Sequence, residues 1–305
     1  MDDASTVLYA RNGEVHIAYE TFGDTGTGEP LLLIMGLDFP MLWWHDDFCH
    51  ALVDSGFAVA RFDNRDTGLS THFTSPEVSR PWRAQLGRSA PAYTVLDMVD
   101  DGLAVMDAVG WRTAHILGGS LGGLLAQATG LLHPERVRSV MSALALPAGS
   151  GGLRTLTYLR MSSMLKLARA IRRARTDDEQ IEELVHAYTL MAAPGVGFDE
   201  DWARRTARRC HERAPQDPTA TQRHMSSGRG VKLPPLSGLQ PPLLVINGEA
   251  DPLVKVSAGR ATARAVPGAR FVSFPGMAHS FPQPLWPQII AEISKIARTD
   301  RQDLD

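Results

Sequence analysis

The pentapeptide Gly118-Gly119-Ser120-Leu121-Gly122 constrains this chain more than any other stretch. It joins an apolar run with strand character, Thr113 to Leu117, to an apolar run with helical character, Leu121 to Leu132. A turn that sharp needs small residues on both sides of the serine, because a larger Cβ would clash with neighbouring backbone. The serine is then expected in a strained conformation at a helix N-terminus, its hydroxyl exposed above the sheet, which suits a nucleophile. The rival reading is a glycine-rich turn that binds phosphate or merely packs tightly. The stretch lacks the Lys-Ser/Thr pair of a P-loop and the glycine spacing of a dinucleotide fingerprint, so the phosphate version is weak.

Around this turn, strand and helix patterns alternate. Val15 to Phe22 alternates apolar and polar residues, as an edge strand should, while Leu31 to Met35 and Phe57 to Phe62 have the composition of strands buried on both faces. Trp43 to Ser55 between them has helical character. Thr94-Val95-Leu96-Asp97 forms a capping box with Asp in place of Glu, opening a helix with Met98, Leu103, Met106 and Val109 on one side. Arg136 to Leu144 is a further buried strand. The pattern resumes with strand Pro242 to Ile246, helix Ser257 to Val266, strand Ala269 to Phe274 and helix Gln283 to Ala297. Alternation of this kind implies a parallel sheet covered on both faces. From about Pro147 to Pro235 the signals are helical only, over Leu153 to Arg175, Asp178 to Met191 and Glu200 to Arg213. An insertion between two strands is well placed to lie over the C-terminal edge of the sheet as a cap. Its arginine runs, Arg169 to Arg175 and Arg204 to Arg209, lie near Asp177, Asp178, Glu179, Glu182 and Glu183 and are expected on solvated helix faces.

A serine hydroxyl needs a base to take its proton during attack. Of the ten histidines, His279 follows the last strand in a Gly- and Pro-containing loop, on the same sheet edge as Ser120. His133 sits at the far end of the helix that Ser120 starts, and His115 lies inside a strand; His186, His211 and His224 fall in the insertion. The base in turn needs a carboxylate to hold its tautomer. Asp251 follows strand Pro242 to Ile246; Glu249 is the rival and lies closer to the strand end. Asp251 is preferred because Gly248 and Pro252 hold it further out on the loop. The other plausible location, after Arg136 to Leu144, offers Ala145-Leu146-Pro147 and no carboxylate. The order along the chain is Ser, Asp, His.

That order, with LLLIMGLDFPMLWW, ARFDNRDTGLS, GGSLGG, NGEADPLV and FPGMAHSFP in sequence, resembles the α/β-hydrolases. It is most similar to the serine esterases grouped with the aclacinomycin-type polyketide methylesterases, over almost the whole chain. The resemblance implies an α/β-hydrolase fold, a mostly parallel sheet of about eight strands flanked by helices, with a helical cap inserted before the last strands. Residues 1–146 and 236–305 would form the core and 147–235 the cap. In the stretch Asp63 to Ser70, Asp66 stands where the fold's signature usually has Gly; the loop is expected to be structural, Gly68 turning the chain and Arg65 bonding loop carbonyls.

Acyl transfer builds charge on a carbonyl oxygen, and backbone N–H groups of Leu37 and Leu121 are the expected oxyanion donors. Phe39, Met41, Trp43 and Trp44 make the loop after Leu37 aromatic, and Met161, Met164, Tyr188 and Met191 are candidates for the opposite wall. An apolar cavity suits a bulky or acyl-chain ester better than a peptide or sugar. The reading is therefore a carboxylic-ester hydrolase acting through an acyl-enzyme, with Ser120, Asp251 and His279 as catalytic residues. Lactone, thioester or C–C bond hydrolysis and perhydrolysis could use the same residues, and a non-catalytic receptor on this fold is the alternative from another class. No metal or other cofactor is called for. The chain has 305 residues, 44% hydrophobic and 21% charged, with net charge −3, which points to no nucleic-acid or anionic-membrane partner. The acidic start MDDASTV has no apolar run behind it, no stretch reaches the length of a membrane span, and Cys49 and Cys210 are expected as buried free thiols in helices. The expected setting is cytoplasmic, the partner a small-molecule ester, with a homodimer left open.

Overall fold

A computed structural model of the chain describes residues 6–73, 91–151, 153–170, 176–214, 217 and 219–302. Eight strands form one sheet: β1 (Leu8–Asn12), β2 (Val15–Phe22), β3 (Glu29–Ile34), β4 (Phe57–Phe62), β5 (Ala114–Gly119), β6 (Val137–Ala143), β7 (Leu243–Gly248) and β8 (Arg270–Phe274). Their spatial order is β1-β2-β4-β3-β5-β6-β7-β8. β1 pairs with β2 and β2 with β4 antiparallel; every other pairing is parallel. This is the expected α/β-hydrolase architecture. β2 is not the edge, however. β1 covers it, and Val15–Phe22 buries Ile17 to Tyr19 in succession.

Helices cover both faces of the sheet, as parallel strands require. α1 (Asp46–Asp54) and, at the C-terminus, α10 (Trp286–Gln302) lie on one side, where Phe48, Leu52, Ile289 and Ile293 pack with Leu31, Leu33 and Val59. α2 (Val95–Val109) and α3 (Leu121–Leu132) lie on the other, where Met98, Met106, Leu125 and Ala128 meet Leu32, Phe62 and Ile116. Each fully buried Val, Leu, Ile, Met or Phe among them contributes on the order of 1.5–3 kcal/mol through burial. The capping box that opens α2 is formed as expected: Thr94 accepts from the Asp97 N–H while the Asp97 carboxylate accepts from the Thr94 N–H. α1 begins three residues later than the pattern predicts. Met41–Trp43 winds as a 3-10 turn, and His45 caps the helix by accepting the Asp47 N–H at Nδ1.

Between β6 and β7 the chain forms α4 (Leu153–Tyr158), α5 (Met161–Ala170), α6 (Asp177–Ala192), α7 (Glu200–Arg213) and α8 (Ala220–Ser226). α9 (Val256–Ala265) then links β7 to β8. The single helix expected from Leu153 is broken where Leu159 bridges to Val254; its last five residues, 171–175, lie outside the described set and take with them most of the first arginine run. α8 has no counterpart in the sequence expectations. Cys49 in α1 and Cys210 in α7 are buried free thiols, and burial pushes each up to about 12. Among the described residues no helix is long and apolar enough to cross a membrane.

Candidate active site

β3, β5 and β6 end side by side, with Ile34 opposite Gly118 and Gly119 opposite Ala143. Ser120 follows at φ 56, in the left-handed region that a β-substituted residue adopts only when its surroundings force it there. The forcing is steric. A Cβ on Gly118 would lie 1.9 Å from the Gly122 carbonyl oxygen, and one on Gly122 would lie 2.1 Å from that of Ile34. The strand and the helix therefore approach more closely than any side chain permits, and the serine between them is pushed outward. Its own N–H is anchored to the Ala143 carbonyl at 2.8 Å.

Asp251 follows β7 and is buried. One carboxylate oxygen accepts the Leu253 and Val254 N–H groups at 2.7 and 2.9 Å, and the other lies 2.7 Å from Nδ1 of His279. A carboxylate only accepts, so Nδ1 carries the proton and the neutral ring presents Nε2 as a base. The rival Glu249 instead accepts the Ser273 hydroxyl at 2.8 Å on an exposed loop. His279 is held through its backbone too, its N–H donating to the Met191 carbonyl at 3.1 Å.

Ser120 and His279 line one cavity of about 450 Å³. No hydrogen bond joins the hydroxyl to the ring, and such contacts commonly tighten only when substrate binds. Leu37 and Leu121 line the same space, and Leu121, as the first residue of α3, has an N–H with no intrahelical acceptor. The lining is mostly apolar. Phe39, Trp43 and Tyr188 form an aromatic cluster, Trp43 lying edge-to-face with Phe39 at 5.0 Å and tilted against Tyr188 at 4.5 Å between ring centroids. Burial pushes the Tyr188 phenol up to about 12. An open polar notch lined by Arg11, Asp100, Asp107 and Arg136 lies away from these loops and holds no serine, cysteine or histidine.

The sequence profile of the alpha/beta hydrolase fold matches residues 30–282. The chain belongs to the α/β-hydrolase fold family. Rhodomycin D methylesterase DnrP of Streptomyces peucetius is 31% identical over 295 residues, covering 89% of this chain and 91% of its own. Rhodomycin D methylesterase DauP of Streptomyces sp. (strain C5) is 29% identical, with 88% and 90% covered. Among solved structures, the esterase RhEst1 of Rhodococcus sp. ECU1013 has a TM-score of 0.68 at 19% identity, covering 95% of this chain and 98% of that one, a likeness of fold. With this membership and these relatives, the chain is a carboxylic-ester hydrolase.

Two of the hydrolase's expected pocket residues lie elsewhere. Met41 is fully buried below the cavity, its N–H donated to Asp63 at 2.7 Å, because the 3-10 turn rolls it into the core. Met161, the first residue of α5, is 52% exposed and does not line the cavity, whereas Met164, one turn on, does. Phe39, Trp43, Tyr188 and Met191 line it as well. Arg65 does not chiefly bond carbonyls: it grips the Asp101 carboxylate through two nitrogens at 2.6 and 2.7 Å and adds the Asp97 carbonyl at 2.8 Å.

Asp66, the departure from the family signature, is ion-paired with Arg223 of α8 at 2.7 and 2.9 Å. Asp66, His72 and Asp217 also come close enough to suggest a cation site. Arg223 already sits on both carboxylates, so a metal there would meet a fixed positive charge. Sequence reasoning missed Asp38, Thr221 and His224, all of which line the cavity. Asp38 accepts the Thr221 hydroxyl, and burial raises its carboxyl to about 6 despite that bond. Its φ of 63 is positive, as are those of Asp66, Ser120 and Leu144.

Proposed function

We propose that this hydrolase cleaves methyl esters of bulky, apolar small molecules through an acyl-enzyme. Ser120 Oγ attacks the ester carbonyl as His279 Nε2 takes its proton, and the alkoxide of the tetrahedral adduct rests on the N–H groups of Leu37 and Leu121. Collapse of the adduct expels methanol, which receives the proton from His279. A water activated by the same ring then releases the acid and restores the serine. Asp251 keeps Nδ1 protonated and stabilises the imidazolium that forms in each half-reaction.

The observation that carries this reading is the 2.7 Å Asp251–His279 bond on the rim of the cavity that also holds Ser120 at φ 56. The methyl leaving group is inferred from DnrP and DauP, which are named for a methylesterase activity. The bulky acyl part is inferred from a cavity of about 450 Å³ with aromatic walls. Residues 147–235 would serve as the cap, since Met164, Tyr188 and Met191 complete the cavity over Ser120. The test is methanol release across a panel of methyl esters graded from acetate to polycyclic aromatic acids. Rates should rise with acyl bulk and vanish in Ser120→Ala. Retained turnover in that variant, or a preference for acetate, would overturn the reading.

A further inference from the structure

The cavity wall supplied by α8 differs chemically from the rest. Thr221 and His224 add polar side chains to the border of a space otherwise bounded by residues such as Val95, Leu124 and Met225. His224 is 1% exposed. Its Nε2 lies 2.8 Å from the Arg65 carbonyl oxygen, which can only accept, so Nε2 carries the proton. Nδ1 is then a lone-pair acceptor, and no donor among the described residues meets it. Burial holds the ring's pKa down, which keeps it in this neutral form. Tyr93 packs edge-on at 5.9 Å between centroids and fixes the ring plane. Beside α8, Asp38 adds a second acceptor on the loop that carries Leu37, its carboxylate accepting the Thr221 hydroxyl.

A buried acceptor without a donor costs stability unless a ligand completes it, and one that borders a binding cavity is a candidate for doing so. Shielded from bulk water, a hydrogen bond at that atom also discriminates more strongly than one at a wet rim. We propose that this wall is a specificity subsite for a hydrogen-bond-donating group, hydroxyl or ammonium, on the acyl part of the substrate, with His224 Nδ1 and the Asp38 carboxylate as its acceptors. The proposal rests on the ester-hydrolase reading for which end of the ligand faces Ser120, but its binding test needs no turnover. The substrate class narrows accordingly, to bulky apolar esters that carry at least one donor away from the scissile carbonyl.

The test uses the full-length Ser120→Ala protein and calorimetric Kd values for methyl hydroxynaphthoates, the hydroxyl walked around the rings, each against its own O-methyl ether. At least one hydroxyl isomer should bind tenfold or more tightly than its ether, and His224→Phe should bring that ratio to within about twofold. Aminomethyl analogues separate the two acceptors: a preference for ammonium that falls tenfold in the near-isosteric Asp38→Asn assigns it to the carboxylate. If every hydroxyl and ammonium ligand binds within threefold of its ether, the subsite is wrong, whether or not His224→Phe folds. An unchanged ratio in a folded His224→Phe would also overturn it. Methanol release by the wild type from the ethers reports separately on hydrolysis. Turnover without donor preference sinks only the subsite, and donor preference without turnover sinks only the hydrolytic assignment.

Discussion

A serine at φ 56 costs backbone energy, on the order of 1–3 kcal/mol, which the packing of Gly118 and Gly122 imposes and the remaining fold must offset. The same local logic bears on the proposed acid. Asp251 is expected to matter through the proton it holds on Nδ1, so Asp251→Asn should lower kcat/KM by about 10³–10⁴-fold with little change in fold. Glu249→Gln, which loses only an exposed bond to Ser273, should stay within about twofold of wild type. Steady-state kinetics on one methyl ester decides, and a larger loss for Glu249→Gln would reassign the acid. Asp38 makes a second, pH-dependent expectation. Burial raises its folded value to about 6 from an ordinary 3.8, so between those values the folded chain binds more protons than the unfolded one. Its contribution to stability therefore falls as pH rises from about 4 to about 6. Denaturant melts of wild type minus Asp38→Asn should show that decline; a difference that is flat or rises over the window would contradict it.

At the scale of elements, separate pieces of the insertion hold each loop of the site. The α4–α5 junction grips the acid loop, with Arg160 Nε donating to the Asp251 carbonyl at 2.9 Å and Lys255 N–H to the Tyr158 carbonyl at 2.8 Å. The end of α6 grips the histidine loop through Met191, and Val196 N–H donates to the Gly276 carbonyl at 2.8 Å. α8 grips the Leu37 loop through Thr221 and the Asp63–Ser70 loop through Arg223 and His224. Asp66→Ala would take two of four hydrogen bonds from the buried Arg223 and should destabilise the fold by roughly 3–5 kcal/mol. Arg204→Ala, which breaks exposed pairs with Glu182 and Glu200, should cost about 0–1 kcal/mol. Equal losses in urea melts would refute the distinction.

These contacts explain what the sequence did and did not disclose. The meeting of Asp251 and His279 at the cavity that Ser120 lines was legible because each of the three lies within a few positions of the end of a strand whose apolar run is easy to recognise. Thr221 and Asp38 meet across 183 residues, and His224 and Arg65 across 159, and only after α8 has folded back on the core. α8 itself, seven residues of ATQRHMS, has neither apolar periodicity nor a capping side chain. β1 escaped for a related reason: in LYARN only Ala10 is buried, so the alternation that marks a strand is absent.

Across the whole molecule, stability is unevenly distributed. Leu31 to Leu33, Ile116, Leu117 and Ile246 in the middle of the sheet are wholly buried, whereas α4 exposes Leu153 and Leu156 and buries only Tyr158. Amide exchange should be slowest in β3, β5 and β7 and faster by orders of magnitude in α4, which would open without global unfolding. Uniform protection would show instead that sheet and insertion melt as one unit. Such uneven stability fits a rigid sheet edge that aims the reacting groups, with an insertion that adapts to the acyl part. The most direct measurement on that edge is mass spectrometry of the enzyme quenched during turnover of a slow aryl ester. An acyl adduct on the peptide containing Ser120, absent from Ser120→Ala, is the expected result. An adduct on any other residue, or turnover without a covalent species under conditions where His279→Ala also remains fully active, would contradict the mechanism.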